Sequence, residues 1–304
     1  MSKKNKTTAI RLSRGDMILE TTITVMMILL FVVFLYPMIF IVSSSFSSGK
    51  AVSMGKVLLW PVDFSLQGYK IVFSYSKVWT GYYNTIVNTI LATALSMVCT
   101  IMVAFCMSKR EWQGRNVYMM MYIITMWFGG GLIPAYINMS NLGLTNTRWA
   151  IILSGVVSTY NMIVMRTFFR SNVPEELYDA ARMDGCTDIN FLLKIVCPLS
   201  KAIFSVITLY YAVGEWNSYF TAMIYIRKLE LITLQQVLRD ILNSSNINMD
   251  DIQGMTAEEL EGMMGAADLI KFSLIIVSSA PILCAYPFVQ KYFEKGVTVG
   301  AVKG

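Results

Sequence analysis

Residues 82–107 read YYNTIVNTILATALSMVCTIMVAFCM, a long apolar stretch without Asp, Glu, Lys or Arg. A helix of about 20 apolar residues is long enough to cross the ~30 Å hydrocarbon core of a bilayer. In lipid the backbone must satisfy its own hydrogen bonds, and within one segment only a helix does so. The stretch therefore predicts a membrane-spanning helix.

Five other stretches of the chain are similar in length and polarity. The six predicted spans are residues 17–42, 82–107, 117–139, 149–169, 202–226 and 270–290. The 304-residue chain is 14% charged, whereas a soluble domain carries about 25% charged residues. We therefore predict an all-α polytopic membrane protein of about six transmembrane helices.

The positions of the basic residues predict the orientation of the spans. With the N-terminus in the cytoplasm, most of the 25 Lys and Arg residues fall in cytoplasmic segments, as the positive-inside rule requires. Both termini are then cytoplasmic. A cleaved signal peptide is the alternative for the N-terminus, but the first apolar run exceeds the 7–15 residues of a typical signal core.

This orientation predicts three parts of the chain. They are a basic cytoplasmic head (1–16), a first span with an extracytoplasmic loop (17–81) and a core (82–304). The core includes a cytoplasmic loop, 171–200, and an outer loop, 227–269. The outer loop is acidic between Asp250 and Glu261, which fits either a solvated face or a docking surface for a soluble partner.

Several functions are excluded by residues that the chain lacks. It contains no His and no Gly-x4-Gly-Lys-Ser/Thr phosphate-binding loop, and its five Cys residues have no metal-ligand spacing. We therefore expect no catalytic residue, no metal and no cofactor bound by this chain. The basic residues lie beside the spans rather than on a separate aromatic surface, which argues against nucleic acid as a partner.

The cytoplasmic loop contains SNVPEELYDAARMDG at residues 171–185. Pro174 suits the first helical position, where its missing N–H is not needed, and the glutamates that follow favour a helix N-terminus. Gly185 can adopt the left-handed conformation that ends a helix. The pattern predicts a short helix that ends at this glycine.

A second short helix is predicted to follow. Thr187 suits its N-cap, and the helix should cover residues 188–196 and end before Pro198. In the first helix the small residues Ala180 and Ala181 share a face with Leu177, which allows another surface to approach closely.

The spacing of this loop resembles that of a known motif. Asp179-Ala180-Ala181, then Gly185, Ile195 and Pro198 follow the pattern Glu-Ala-Ala-x3-Gly-x9-Ile-x-Leu-Pro of the "EAA" loop in bacterial ABC-importer permeases. Asp179 replaces Glu, and Cys stands where the pattern has Leu. Residues 127–134 (WFGGGLIP), 141–144 (NLGL) and 214–220 (GEWNSYF) are similar to segments of carbohydrate-type permeases, particularly those for complex oligosaccharides.

The resemblance implies the architecture of a type I ABC importer permease and a role for the loop in coupling to an ATPase. The implied coupling residues are Glu176, Asp179, Ala180, Ala181, Asp184, Gly185, Ile195 and Pro198. The implied partners are a second permease subunit in a heterodimer, two cytoplasmic ATPase subunits that use ATP and Mg²⁺, and an extracytoplasmic binding protein. The implied substrate is an oligosaccharide, and the implied location is a bacterial cytoplasmic membrane. An ion-coupled secondary transporter and a non-transporting scaffold or sensor are the alternatives.

Candidate pathway or gate residues lie in two spans. Glu215 stands in the fifth span, where a carboxylate costs about 2.5–3.5 kcal/mol on insertion scales unless it faces water or a partner. With Asn217 it forms either a pathway site or a helix-packing contact, and Trp216 is either a sugar platform or an interfacial anchor. Gly130 and Pro134 interrupt the third span, and we predict a kink there rather than a broken helix.

Two further predictions concern polar residues and the C-terminus. Asn84, Thr85 and Asn88 lie at helical spacing and are predicted to bond neighbouring helices rather than substrate. Residues 296–304 (GVTVGAVKG) resemble the tail of the maltose-importer subunit that inserts between the ATPases. The candidate insertion residues are Gly300, Lys303 and Gly304, and a frayed terminus is the alternative.

Overall fold

Every regular element in residues 13–244 and 257–301, the part of the chain that the computed structural model describes, is a helix. The α-helices are α1 (Arg14–Ser45), α2 (Gly49–Ser53), α3 (Gln67–Ser74), α4 (Ser76–Ser108), α5 (Arg115–Trp127), α6 (Leu132–Asn141), α7 (Arg148–Ile152), α8 (Thr159–Asn172), α9 (Glu175–Met183), α10 (Asp188–Phe191), α11 (Cys197–Leu199), α12 (Lys201–Trp216), α13 (Tyr219–Tyr225), α14 (Leu234–Ser244) and α15 (Ala257–Ala301). A π-helical turn covers Leu192–Val196 and a 3-10 turn covers Leu229–Leu231.

Among the described residues, three helices are long and apolar enough to cross a membrane: α1, α4 and the Gly265–Pro287 part of α15. Two bent pairs, α5 with α6 and Asp188–Leu199 with α12, raise the number to at most five when each pair is taken as one span. The prediction of an all-α polytopic fold with about six spans is confirmed, but several spans are not continuous helices.

The third predicted span is broken rather than kinked. Helix α5 ends at Trp127, α6 begins at Leu132, and the two helices are bent by 113°. Gly131 lies between them with φ +89°, a conformation that only glycine adopts readily. The predicted kink is therefore wrong, because the glycines leave the helical conformation altogether. Pro134 falls in the first turn of α6, where its missing N–H costs no helical hydrogen bond.

The fourth and fifth predicted spans are also interrupted. Residues 153–158 separate α7 from α8, and the Ser158 side chain caps α8 by accepting from the Asn161 N–H. Helix α12 ends at Trp216, where the Asn217 side chain donates to the Val213 carbonyl at 2.9 Å. The prediction of one continuous helix is wrong for both spans, because the Ser158 cap begins a new helix within the fourth stretch and the Asn217 side-chain bond accompanies the end of α12 within the fifth.

The chain clusters into two units, residues 1–70 with 247–276 and residues 71–246 with 277–304. In the first unit, small residues allow close backbone packing: a Cβ atom on Gly49 would lie 2.8 Å from the carbonyl carbon of Gly265. The apolar side chains of α1 between Met17 and Phe34 are mostly exposed. Residues 245–256 and the side chains of 257–264 lie outside the described residues, so the acidic stretch from Asp250 to Glu261 stays a prediction.

Polar side chains join the helices of the second unit. The Arg148 guanidinium donates to Asn84 Oδ1 at 2.9 Å and to Asn88 Oδ1 at 3.0 Å. Asn84 Nδ2 donates to the carbonyls of Glu230 and Ile232 at 2.8 and 2.9 Å. The Thr85 hydroxyl accepts from the Leu234 N–H at 2.9 Å. The prediction that Asn84, Thr85 and Asn88 bond neighbouring elements is confirmed.

We predict that Arg148→Met destabilises the second unit. The change leaves the amide oxygens of Asn84 and Asn88 without their charged donor, and a hydrogen bond to a charged group contributes about 1.5–3 kcal/mol. Thermal unfolding of the purified protein in detergent should show a lower midpoint. Lys77→Met is the matched control, because Lys77 lies exposed on the same helix as the two asparagines. Equal midpoints for the two variants would show that the Arg148 contacts contribute nothing.

Candidate functional site

The loop 171–200, predicted to be cytoplasmic, folds into two short helices that meet at Gly185. Helix α9 begins after Pro174, which is the N-cap rather than the predicted first helical residue. Gly185 has φ +73°, as predicted, and no atom of the described residues other than its immediate chain neighbours lies within 4 Å of the position that a Cβ would occupy there. The Thr187 side chain caps α10 by accepting from the Asn190 N–H at 3.4 Å, also as predicted.

The second helix differs from its prediction. Helix α10 ends at Phe191, and the chain continues through the π-helical turn Leu192–Val196 into α11, which contains Pro198. The helical path thus passes through this proline instead of ending before it. Proline cannot donate to a carbonyl four residues earlier, and a widened π turn just before it accommodates the missing hydrogen bond.

The implied coupling residues are mostly exposed in this chain. Glu176, Asp179, Ala180 and Asp184 are exposed, Pro198 is exposed on α11, and Ile195 is half-buried against the core. Ala181 is buried in that core beside Phe191 and Met165. The predicted shared face of Leu177, Ala180 and Ala181 is therefore wrong in part, because Ala181 packs against this chain and leaves the other two residues free.

Three large apolar side chains stand on the outside of the same loop. Met183, Ile189 and Leu193 are 88%, 70% and 60% exposed. They surround the glycine turn together with the exposed acidic residues Glu176, Asp179 and Asp184. An apolar group with a charged rim is the composition of a protein–protein contact surface.

The α4–α5 connection forms ion pairs with the loop 171–200. In the sequence, its basic residues Lys109 and Arg110 were used only as orientation charges, and Glu111 was assigned no role. Lys109 forms an ion pair with Asp188, and Arg110 pairs with Glu175 at 2.8 Å. Arg182 pairs with Glu111, also at 2.8 Å. Three consecutive charged residues directly after an apolar helix were the signal in the sequence, although nothing there identified their partners.

The pair between Lys109 and Asp188 is charged over a wide pH range. Burial alone would lower the pKa of Lys109, but hydrogen bonds to Asp188 and Tyr178 outweigh burial and raise it. The hydrogen bond from Lys109 lowers the pKa of Asp188. A lowered carboxyl pKa stabilises the fold above the unfolded value of about 3.9 and loses that contribution only as the pH falls through the folded pKa.

A polar cavity of about 310 Å³ lies among α4, the α7–α8 connection and α12. Its polar lining includes Thr93, Ser96, Ser154, Ser158, Asn161, Tyr210, Tyr211, Glu215 and Ser218. Glu215 thus faces a polar space, and none of the ion pairs between described residues involves it. The Thr93 hydroxyl has no hydrogen-bond partner in the described part of the chain.

The other candidate pathway residues lie apart from this cavity. Trp216 is 6% exposed, donates from its indole N–H to the Ser278 carbonyl at 3.0 Å and packs against Tyr82. These contacts place its ring in helix packing, where it is unavailable as a platform for a sugar. Asn217 caps α12, and Gly130 and Pro134 belong to the break between α5 and α6.

The candidate tail residues are only partly described. Helix α15 continues to Ala301, so Gly300 lies within it, whereas Lys303 and Gly304 lie outside the described residues. Among the described residues, no group of three or more His, Cys, Asp or Glu side chains is arranged to hold a metal ion.

Two tyrosines of the cavity were missed by the sequence analysis. The Tyr211 hydroxyl lies 2.7 Å from the Thr100 hydroxyl and accepts from the Ser158 N–H at 3.0 Å. It therefore fixes the α7–α8 connection against α4 and α12 at the edge of the cavity. Adjacent tyrosines in the middle of an apolar span were a signal for a polar surface, because their hydroxyls require partners.

Comparison with known proteins gives consistent matches. The family model of the binding-protein-dependent transport system inner membrane component matches residues 101–299. The chain is 35% identical to the polygalacturonan/rhamnogalacturonan transport system permease protein YtcP of Bacillus subtilis, over 88% of this chain and 92% of that protein. It is 34% identical to Protein LplC of Bacillus subtilis, over 88% of this chain and 89% of that protein.

A solved structure shows the same fold. It is the crystal structure of a bacterial ABC transporter involved in the import of the acidic polysaccharide alginate, with a TM-score of 0.83 and 35% identity over 94% of this chain and 100% of that chain. These matches give no support to an ion-coupled transporter or a scaffold. The chain belongs to the family of binding-protein-dependent transport system inner membrane components, and it is a non-enzymatic permease subunit of an ABC importer.

Proposed function

We propose that this permease imports an oligosaccharide and that an ATPase subunit docks on its loop 171–200. Permeases of this family work with a further permease, with ATPase subunits and with a binding protein. For this chain we propose a heterodimer with a second permease, two cytoplasmic ATPase subunits that use ATP and Mg²⁺, and both termini in the cytoplasm. The observation that supports this proposal is the pair of short helices that meet at Gly185. One side of this pair is fixed to the rest of the protein, and the other side is exposed.

The exposed side of the loop has the chemistry of a docking surface. Met183, Ile189 and Leu193 would fill an apolar groove of the ATPase, and Asp179 and Asp184 would meet its polar rim. Exposed apolar side chains of this size normally mark an interaction site. Asp179 keeps the charge of the Glu in the EAA pattern but is shorter by one methylene, so its ATPase partner must approach more closely.

The cavity beside Glu215 supports a role in the substrate path. Sugars present many hydroxyl groups, and the lining offers hydroxyl, amide and carboxylate groups to bond them. The free Thr93 hydroxyl is one such group. The names of related permeases include polygalacturonan/rhamnogalacturonan and arabinooligosaccharide transport, and the solved structure is of an alginate importer. An oligosaccharide is the substrate class that fits both these names and the polar lining of the cavity.

The C-terminal residues 295–304 are proposed to insert between the ATPase subunits. The support is the resemblance of the glycine-containing ending to the maltose-importer subunit. Glycines permit close backbone approach in a narrow interface.

We predict that Gly185→Val abolishes most transport. Valine resists a positive φ, and because no atom lies near the Cβ position, any effect comes from the backbone conformation and not from a clash. Uptake by the reconstituted importer and co-purification of the ATPase should both fall about tenfold. Gly185→Asn is the matched control, since asparagine tolerates the left-handed conformation and should retain most activity. Wild-type uptake and ATPase association in Gly185→Val would refute the docking role of this turn.

We predict that Glu215→Gln slows uptake while assembly stays normal. The change keeps the shape of the side chain but replaces a carboxyl oxygen with an amide NH2 group, and the loss of one hydrogen bond of about 0.5–1.5 kcal/mol lowers the rate roughly two- to tenfold. Transport of the saccharide delivered by the binding protein is measured in proteoliposomes. Trp216→Phe is the control: it removes the indole bond to Ser278 and should lower stability without changing the KM for transport. An uptake rate equal to wild type in Glu215→Gln would remove this residue from the path.

We predict that deletion of residues 298–304 reduces the amount of substrate imported per ATP hydrolysed. An inserted tail contacts both ATPase subunits, whereas a frayed tail contacts neither. Assembly, ATP hydrolysis and uptake are measured on the same preparation. A normal ratio of uptake to hydrolysis in the deletion variant would favour the frayed terminus.

A further inference from the structure

The residues that connect α4 to α5 form ion pairs with the loop 171–200. Each of the first three residues, Lys109, Arg110 and Glu111, is paired with a residue of that loop. The partners lie on both sides of Gly185, at Glu175 and Arg182 on α9 and at Asp188 on α10. Both short helices are therefore tied to the cytoplasmic end of α4.

The three pairs differ in burial. The side chains of the Arg110–Glu175 pair are 67% and 46% exposed, and those of the Arg182–Glu111 pair are 62% and 58% exposed. Exposed pairs of this kind contribute little to stability because water and salt screen them. The Lys109 side chain is only 18% exposed, although its partner Asp188 is 61% exposed. Lys109 is therefore the member of the group whose interactions are least screened.

Lys109 is enclosed by groups from three helices. Its ammonium group lies 4.7 Å from the ring centre of Phe105 on α4 and 4.9 Å from that of Tyr178 on α9. The Tyr178 hydroxyl donates to Asp188 Oδ1 at 2.9 Å, and the Tyr178 ring packs edge-on against Phe191 of α10 at 5.1 Å. We call the group of Phe105, Lys109, Tyr178, Asp188 and Phe191 the Lys109 clasp.

Helix α4 connects this clasp to the polar cavity. It is a continuous helix over Ser76–Ser108, and it lines the cavity with Ala92, Thr93 and Ser96. Lys109 follows Ser96 by 13 residue positions, which corresponds to about 20 Å along a helix at 1.5 Å per residue. An unbroken helix of this length carries a displacement of one end to the other, because its backbone hydrogen bonds resist bending.

We propose that the Lys109 clasp makes α4 follow the docking helices, so that movement of the loop 171–200 reaches the cavity through α4. Lys109 is then a positioning residue, because it acts through α4 and touches neither substrate nor ATPase. Along the chain, the loop is joined to the cavity through α8 before it and α12 after it. The clasp adds a third connection between the loop and α4, the helix that contributes Thr93 and Ser96 to the cavity, through residues that are far apart in the sequence. The inference rests on the proposed docking role of the loop.

The first test measures coupling in the complete reconstituted importer. Lys109→Met keeps the length of the side chain but removes its charge, and Lys109→Arg keeps the charge. We expect Lys109→Met to retain ATPase association and ATP hydrolysis but to import at least fivefold less substrate per ATP. Lys109→Arg should restore at least half of the normal ratio. Arg110→Met, which removes a neighbouring exposed charge, should remain within twofold of wild type.

The second test follows α4 directly. Ser96→Cys in a protein whose native cysteines are replaced is exposed to a thiol reagent with and without a non-hydrolysable ATP analogue. With Lys109 intact, we expect the analogue to change the labelling rate of the Ser96→Cys variant. When Lys109→Met is combined with Ser96→Cys, we expect the analogue to leave the labelling rate unchanged. A labelling change that persists in Lys109→Met, or a normal import ratio in that variant, overturns the clasp. Loss of ATPase association in step with uptake also overturns it, because Lys109 would then only shape the docking surface.

The docking role is tested separately from the clasp. Ile189→Cys in the complex with an intact Lys109 should form a crosslink to the ATPase, since Ile189 stands exposed beside the glycine turn. Absence of the crosslink contradicts the proposed function. A crosslink together with normal coupling in Lys109→Met contradicts the clasp alone.

Discussion

A backbone group that leaves a helix within a membrane must find a partner inside the protein, because lipid offers none. This chain leaves its helices within three apolar stretches, between α5 and α6, between α7 and α8, and between α12 and α13. Side chains form hydrogen bonds with the backbone at two of the helix ends. Ser158 caps the beginning of α8, and Asn217 caps the end of α12. These caps supply hydrogen bonds at two of the three breaks, and the α7–α8 segment lines the polar cavity.

Helix α4 is the element on which the second unit is organised. At one end, Asn84 and Asn88 receive the Arg148 guanidinium, and Thr85 accepts from the Leu234 backbone. In its middle it contributes Thr93 and Ser96 to the cavity. At its other end, Phe105 packs against Phe191 of the loop 171–200. The cavity proposed as part of the substrate path and the loop proposed to dock the ATPase thus both contact one helix.

The EAA pattern describes the residue spacing of the loop 171–200, whereas the structure describes its side-chain contacts. The pattern accounts for the glycine turn and for the spacing to Pro198, and the matched family covers residues 101–299. It says nothing of the ion pairs that hold the loop from the α4–α5 connection. It also does not distinguish the alanine that is buried in this chain, Ala181, from its exposed neighbour Ala180.

The sequence alone determined the membrane class, the helical class of the fold and the left-handed turn at Gly185, because apolar length and glycine geometry are local properties. It also predicted that Asn84, Thr85 and Asn88 bond protein groups. Only the tertiary structure showed which groups these are, that Trp216 is buried in helix packing, and that Lys109 lies between two aromatic rings. Such contacts join residues that are far apart in the chain, and their geometry follows from how the helices pack rather than from the residues beside them.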